Sequence, residues 1–248
     1  MLMGFGRFRC SVGKPMRRLL RWLVGDPFDD GLDALMKGEY EKAIERFTRA
    51  LDEDPGRREA LLYRGIAYLE SGRAGEAVQD LTRYLERERT VEGYYHRAMA
   101  WMELRKLDRA EEDLSAALRL DPEDAEVWTV RGVVRALQER YAEALEDVDR
   151  AIELGHPDGW RNRAVVLERM GRLEEALQSW DRAVEARPED PEIWARRGLL
   201  RLRLQRVEEG RRDLERAWRG RGKLNPELQN QVREALDRVQ AASGGRHS

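Results

Sequence analysis

Four arginines, Arg161, Arg169, Arg196 and Arg203, recur at helical spacing in the second half of the chain, with Asn162 beside the first. A guanidinium forks two hydrogen bonds onto one carboxylate, so this group suits recognition of an acidic or C-terminal carboxylate feature. Earlier in the chain Tyr63, Ile66, Tyr95, Met99 and Met102 recur in the same way. Aromatic and thioether side chains suit adaptable apolar contact. Catalysis is poorly served. His96, His156 and His247 are far apart in phase, and Cys10 has no histidine near it. There is no metal-ligand spacing, no glycine-rich phosphate loop and no G-x-S-x-G. The carboxylate pairs Glu111–Glu112 and Glu174–Glu175 fall on what read as exposed helix faces. The residues therefore call for binding without an enzyme centre, a metal or a cofactor.

The elements that position these side chains are short amphipathic helices in tandem. In 125–152, Trp128, Arg131, Gly132 and Arg135 share one face, and Ala144, Val148 and Ala151 share the next. Both sets follow the 3.6-residue period. The pattern recurs. A bulky or ring residue at Pro27, Leu61, Tyr94, Trp128, Trp160 and Trp194 is followed four residues on by Gly31, Gly65, Ala98, Gly132, Ala164 and Gly198. Then come the small residues Ala43, Ala77, Ala110, Ala144, Ala176 and Gly210, and after each the bulky Phe47, Leu81, Leu114, Val148, Trp180 and Leu214. Ala50, Tyr84, Ala117, Ala151, Ala183 and Ala217 complete the second face. The period is 34 residues, with one copy a residue short and one copy two short.

This pattern resembles the tetratricopeptide repeat, whose helix-turn-helix unit has a 34-residue period and small and large residues at such positions. Gly38–Ala43 and Gly171–Ala176 match the start of that family's second helix. The resemblance implies an all-α fold, a right-handed superhelical solenoid of six repeats at 24–57, 58–90, 91–124, 125–156, 157–190 and 191–224. A helix at 225–242, opened by Asn225–Pro226–Glu227, reads as a cap for the last repeat, with 243–248 as a tail. In such solenoids the first helices line a concave groove. The groove implied here is apolar toward the N-terminal repeats and arginine-rich toward the C-terminal ones. Some relatives grip chaperone C-termini with a five-residue carboxylate clamp. Asn162 and Arg196 match two of those positions, but Thr129, Val133 and Glu192 do not, which argues against that activity.

The residue before the small one is Arg64, Arg97, Arg131, Arg163 and Arg197 in repeats two to six. Asp80, Asp113, Asp147, Ser179 and Asp213 follow at a fixed distance, and the first repeat swaps the charges as Asp30 and Arg46. Such an exchange is expected of residues that face each other within a hairpin. Half-exposed pairs of this kind are worth about 0–1 kcal/mol each. Asp181 is the expected substitute where Ser179 interrupts the series.

Charge is high at 38% Asp, Glu, Lys and Arg, yet the net charge is only −2. A stack of hairpins buries a thin seam and leaves two wet faces, so this charge needs no nucleic-acid partner. The single Cys10 forms no internal disulfide, which favours a reducing, cytoplasmic setting. Residues 1–23 carry Arg7, Arg9, Lys14, Arg17, Arg18 and Arg21 and no acid. They read as a leader, flexible or capping repeat one through Leu19, Leu20, Trp22 and Leu23. The alternative is a basic element that touches an anionic membrane or an acidic partner. The leading expectation is a scaffold that holds a peptide or helix of another protein in the groove.

Overall fold

A computed structural model describes residues 25–244, with side chains to Ala242. The basic leader, 1–23, lies outside the described residues, as does the end of the tail. Thirteen α-helices and no strand occur among the described residues. They fall into two compact units, one running through Lys106 and one starting at Leu107. The first holds α1 (Pro27–Met36), α2 (Tyr40–Glu53), α3 (Arg58–Glu70), α4 (Ala74–Leu85) and α5 (Val91–Glu103). The second holds α6 (Leu107–Leu120), α7 (Ala125–Leu137), α8 (Tyr141–Glu153), α9 (Gly159–Arg169), α10 (Leu173–Ala186), α11 (Pro191–Arg203), α12 (Val207–Arg219) and α13 (Pro226–Gly244). A short 3-10 turn at Arg221–Lys223 leads into α13.

Side-chain caps start several helices where the sequence supplies them. The Asp26, Thr90, Asp124, Asp190 and Asn225 oxygens each accept from a backbone N–H two or three residues on, at 2.9–3.1 Å. These bonds satisfy donors that the first turn leaves orphaned. Each hairpin within a unit turns through one residue with left-handed backbone: Gly38, Gly72, Glu139, Gly171 and Gln205, at φ between 60° and 76°.

Within a hairpin the small residue of the first helix lies against the bulky residue of the second. A Cβ added to Gly65 would stand 2.7 Å from Leu81 Cγ. One added to Gly132 would stand 2.9 Å from Val148 Cγ2 and 3.2 Å from the Ala144 carbonyl. Gly198 meets Leu214 and the Gly210 carbonyl in the same way. The backbones can approach this closely only where no side chain intervenes. Phe47, Leu81, Leu114, Val148, Trp180 and Leu214 are consequently buried to 1% exposure or less. At the far end, Leu228 and Val232 of α13 are buried with Leu214 and Ala217 of α12 and Ala195 of α11.

The arginine before each small residue does more than pair within its hairpin. Arg64 grips Asp80 with two bonds of 2.6 and 2.9 Å and reaches Thr48 Oγ1 of the preceding α2 at 2.9 Å. Arg131 grips Asp147 and donates to Ser115 of the preceding α6. Arg197 grips Asp213 and donates to Asp181 of the preceding α10. Each guanidinium thus ties three helices together. The charge-swapped Asp30 and Arg46 also face each other, at 3.3 Å.

Two expectations are corrected. The aspartates are not half-exposed, since the Asp80, Asp147 and Asp213 side chains are only 2–5% accessible. Asp181 does not replace the missing carboxylate for Arg163, because it serves Arg197 and Arg201. Arg163 donates to Ser179 Oγ at 2.9 Å and to Asp149 at 2.8 Å. Repeat length explains the choice. The preceding-helix partner lies 16 residues back for Arg64, Arg131 and Arg197, but 14 back for Arg163, whose preceding repeat is two residues short.

Burial works against the Arg64 charge, but the Asp80 bonds and charge outweigh it and hold the guanidinium above its ordinary pKa. Asp80→Ala strands that buried cation and is expected to cost about 3 kcal/mol, whereas Arg64→Met/Asp80→Leu costs less than the single change. Urea unfolding of the three proteins checks the order. Gly132→Ala forces the Val148 contact and is expected to cost about 1–3 kcal/mol in the same assay.

Candidate functional site

In the first unit the expected apolar residues divide into core and surface. Tyr63 is half-buried, edge-on to Phe28 at 5.8 Å and stacked on Phe47 at 6.1 Å. Burial, then the nearby Glu92 charge, raises its hydroxyl pKa. Ile66 and Met99 pack on the cluster of Leu62, Leu69, Leu81 and Leu85. Tyr95 stands edge-on to His96 at 5.3 Å, and Met102 is half-buried at the end of α5. Tyr63, Ile66 and Met99 therefore commit much of their apolar surface to the unit itself.

The second unit shows more. Val133 of α7, Val165 of α9 and Leu199 of α11 occupy one equivalent position on three successive first helices. Val133 and Val165 are exposed, Leu199 is half-buried, and Leu137, one turn beyond Val133, is 51% exposed. An exposed valine thus recurs at the matching place on α7 and α9.

The arginines flank this stripe, but not as free cations. Arg161 lies 3.8 Å from Asp158 and 3.8 Å from Glu192, and Arg196 lies 3.5 Å from Glu192. Arg203 meets Glu168 at 3.2 Å, and Glu168 is itself anchored by the buried Trp180 indole N–H at 2.7 Å. Arg169 is exposed and has no partner among the described residues. Asn162 is half-buried between Arg161 and the Val165 turn. Thr129, at a clamp position, is buried and spends its hydroxyl on the Ala125 carbonyl at 2.9 Å.

A cavity of about 680 Å³ opens between α11 and α13. Leu199, Leu202, Val207, Ala235 and Val239 form its apolar walls, and Arg196, Arg203 and Arg238 stand at its edge. Sequence reasoning treated α13 only as a cap and missed this wall. The signal was available: Ala235, Val239 and Ala242 fall at helical spacing beside the buried Leu228–Val232 stripe. Among the described residues no group of His, Cys, Asp or Glu could hold a metal, and no helix is long and apolar enough to cross a membrane.

Tandem helical hairpins with one exposed first-helix face define a repeat scaffold. Tetratricopeptide repeat profiles match residues 34–102, 95–158 and 161–226, and the chain belongs to the tetratricopeptide repeat family. Members of this family serve as scaffolds for protein–protein interaction. Tetratricopeptide repeat protein 13 of Homo sapiens is 35% identical over 124 residues, which is 47% of this chain and 14% of that protein. Serine/threonine-protein phosphatase 5 of Mus musculus is 35% identical over 89 residues, 35% of this chain and 17% of the phosphatase. The chain thus spans well under a third of these curated relatives. A thermophilic TPR protein of Thermus thermophilus is 28% identical with a TM-score of 0.58, covering 71% of this chain and 97% of that one. The Cut9–Hcn1 hetero-tetramer of the APC/C shares the fold at 16% identity and a TM-score of 0.68, over 91% of this chain and 45% of that one.

Burial pulls the His96 imidazole below its ordinary pKa of 6.5. The unfolded chain therefore takes up this proton first as pH falls, so stability present above about pH 6.5 is lost below it. His96→Gln is expected to show a smaller drop in urea midpoint between about pH 7.5 and pH 5.5 than the natural sequence.

Proposed function

We propose that this scaffold holds a segment of another protein on the first-helix face of its second unit, recognising apolar side chains together with an adjacent carboxylate. The observation that carries the proposal is the aliphatic series of exposed Val133 and Val165 and half-buried Leu199, with exposed Leu137, on the helices that carry Arg161, Arg169, Arg196 and Arg203 or adjoin them. Covering such surface is favourable by about 25 cal/mol per Å². Arginines flanking it would select an acidic neighbour and speed its approach. Because Glu192 and Glu168 already compensate three of the four cations, an isolated anion gains little, and the apolar contact must supply most of the affinity. Arg169 is the cation best placed to meet an incoming carboxylate, with Asn162 as a further donor.

The cavity between α11 and α13 extends this face and offers a pocket for one large apolar side chain. In the first unit Tyr95 and Met102, backed by Tyr63, Ile66 and Met99, offer a second apolar surface for the same kind of partner. The lone Cys10 fits a reducing compartment, and the proposal places the scaffold in the cytoplasm.

Arg169→Glu/Arg196→Glu tests the charged half, since neither side chain is held by a buried partner. Affinity capture from a lysate of the source cells, read by quantitative mass spectrometry, is expected to lose the proteins retained by the natural sequence by about tenfold or more, equivalent to at least about 1.4 kcal/mol. The thermal midpoint stays in place. Val165→Asp is expected to do the same through the apolar half. Retention of the same proteins by both variants would remove this face from the function.

A further inference from the structure

The cavity between α11 and α13 sets two kinds of surface side by side. Its walls are aliphatic, from Leu199 and Leu202 on α11 to Ala235 and Val239 on α13, with Val207 at the start of α12. The ionic groups that line it are Arg196, Arg203, Arg238, Glu168 and Glu234. A peptide backbone brought against such walls would strand N–H and C=O groups, because aliphatic side chains offer them no partner. An alkyl chain carries no polar group to strand. At about 680 Å³ the cavity also has the size of a small-ligand site, for which clefts of roughly 300–1,000 Å³ are usual.

The arginines are placed and provisioned for an anion. Arg203 and Arg238 hold matching places on their two helices, counted from Pro191 and Pro226 in the first turns. The seam arginine Arg197 spends N–H groups from all three guanidinium nitrogens on Asp213 and Asp181. Arg203 spends one, on Glu168 at 3.2 Å, and Arg238 spends one, on Glu234 at 3.3 Å. Arg196 gives one to Glu192 at 3.5 Å. All three side chains are exposed, so their remaining donors are open to solvent. Glu168 sets the position of Arg203, since its other oxygen accepts from the buried Trp180 indole at 2.7 Å. Glu234 is itself exposed, and an exposed pair one helical turn apart is readily exchanged for a better-placed carboxylate.

We propose that this cavity binds a free aliphatic carboxylate. The carboxylate is received between Arg203 and Arg238, through guanidinium N–H groups that the glutamates leave unspent. The alkyl chain lies along Leu199, Leu202, Ala235 and Val239. In this role α13 is one wall of a ligand site as well as the cap of the last hairpin. Such a site deepens the proposed reading of the first-helix face, and rests on it where the ligand is said to compete: a bound chain fills the space offered to a partner's apolar side chain. Binding of the ligand itself needs no protein partner.

Isothermal titration calorimetry of the full chain with dodecanoate, kept below its micelle concentration, tests this. Saturable binding is expected, and Arg203→Gln/Arg238→Gln is expected to weaken it about tenfold or more. Val207→Asp is expected to weaken it as much by setting a carboxylate in the wall. Val207 opens α12, where an acid suits the helix start, so the fold is kept. An unchanged thermal midpoint of each variant without ligand checks this. Dodecyltrimethylammonium, with the same chain and the opposite charge, is expected to bind at least about tenfold more weakly than dodecanoate. Absence of saturable dodecanoate binding would overturn the proposal, as would equal binding of the two amphiphiles or binding that neither variant weakens. Val165→Asp separates this site from the proposed protein contact. Val165 lies outside the cavity lining, so dodecanoate binding is expected to survive the change whether or not protein capture does. Its loss there would move the ligand to the first-helix stripe and overturn the proposal.

Discussion

Two helix backbones meeting where one of them has no side chain is the constraint from which the rest follows. Gly65, Gly132 and Gly198 stand so near Leu81, Val148 and Leu214 that a single Cβ would collide. This approach also brings the second helix within reach of the residue before the glycine. Arg64, Arg131 and Arg197 are therefore able to grip an aspartate on the second helix with both arms of the fork. Their third bond, to Thr48, Ser115 or Asp181, then fixes where the previous hairpin must lie. A cation this desolvated contributes little net stability compared with an apolar isostere, but leaving it unpaired is costly. Its contribution is to fix register, because a hairpin shifted along its neighbour would leave the charge unmet.

The same economy shapes the proposed binding surface. A thin seam uses the small and bulky residues and the seam arginines, and it leaves the first-helix face free. The arginines accordingly fall into two sets by the company they keep. Those in the seam have nearly inaccessible aspartates as partners. Those at the surface, Arg161, Arg196 and Arg203, share the partly exposed Glu192 and Glu168, and Arg169 has none among the described residues. Exposed carboxylates are easily displaced by a better-placed one, so the surface set can exchange partners while the seam set cannot. On the proposed reading Val133, Val165 and Leu199 supply what the charges lack, a contact that ionic screening does not weaken.

The repeating hairpin was readable from sequence because side-chain size at 3.6-residue spacing encodes it directly. The facing of Arg64 and Asp80 was readable too, since Asp30 and Arg46 carry the same charges exchanged. What the sequence did not disclose was distance between hairpins. The bond from Arg64 to Thr48 depends on how neighbouring hairpins stack, and the bond from Arg163 to Asp149 on how a shortened repeat does, neither of which composition reveals. The apparent surface residue Tyr63 proved to pack against the rings of both Phe28 and Phe47 for a similar reason: its position borders the seam. The wall that Val239 and Ala235 add to the cavity beside α11 depends on the packing angle of α13, which its periodicity leaves open.

Which face touches the partner is the decisive question for this scaffold. A photo-reactive amino acid placed at Val165 or Leu199, on first helices, and at Gln178 or Arg182, on a second helix, compares the two faces in one experiment. Cross-links to captured protein from Val165 and Leu199, with none from Gln178 or Arg182, are the predicted result. Cross-links confined to Gln178 and Arg182 would contradict it.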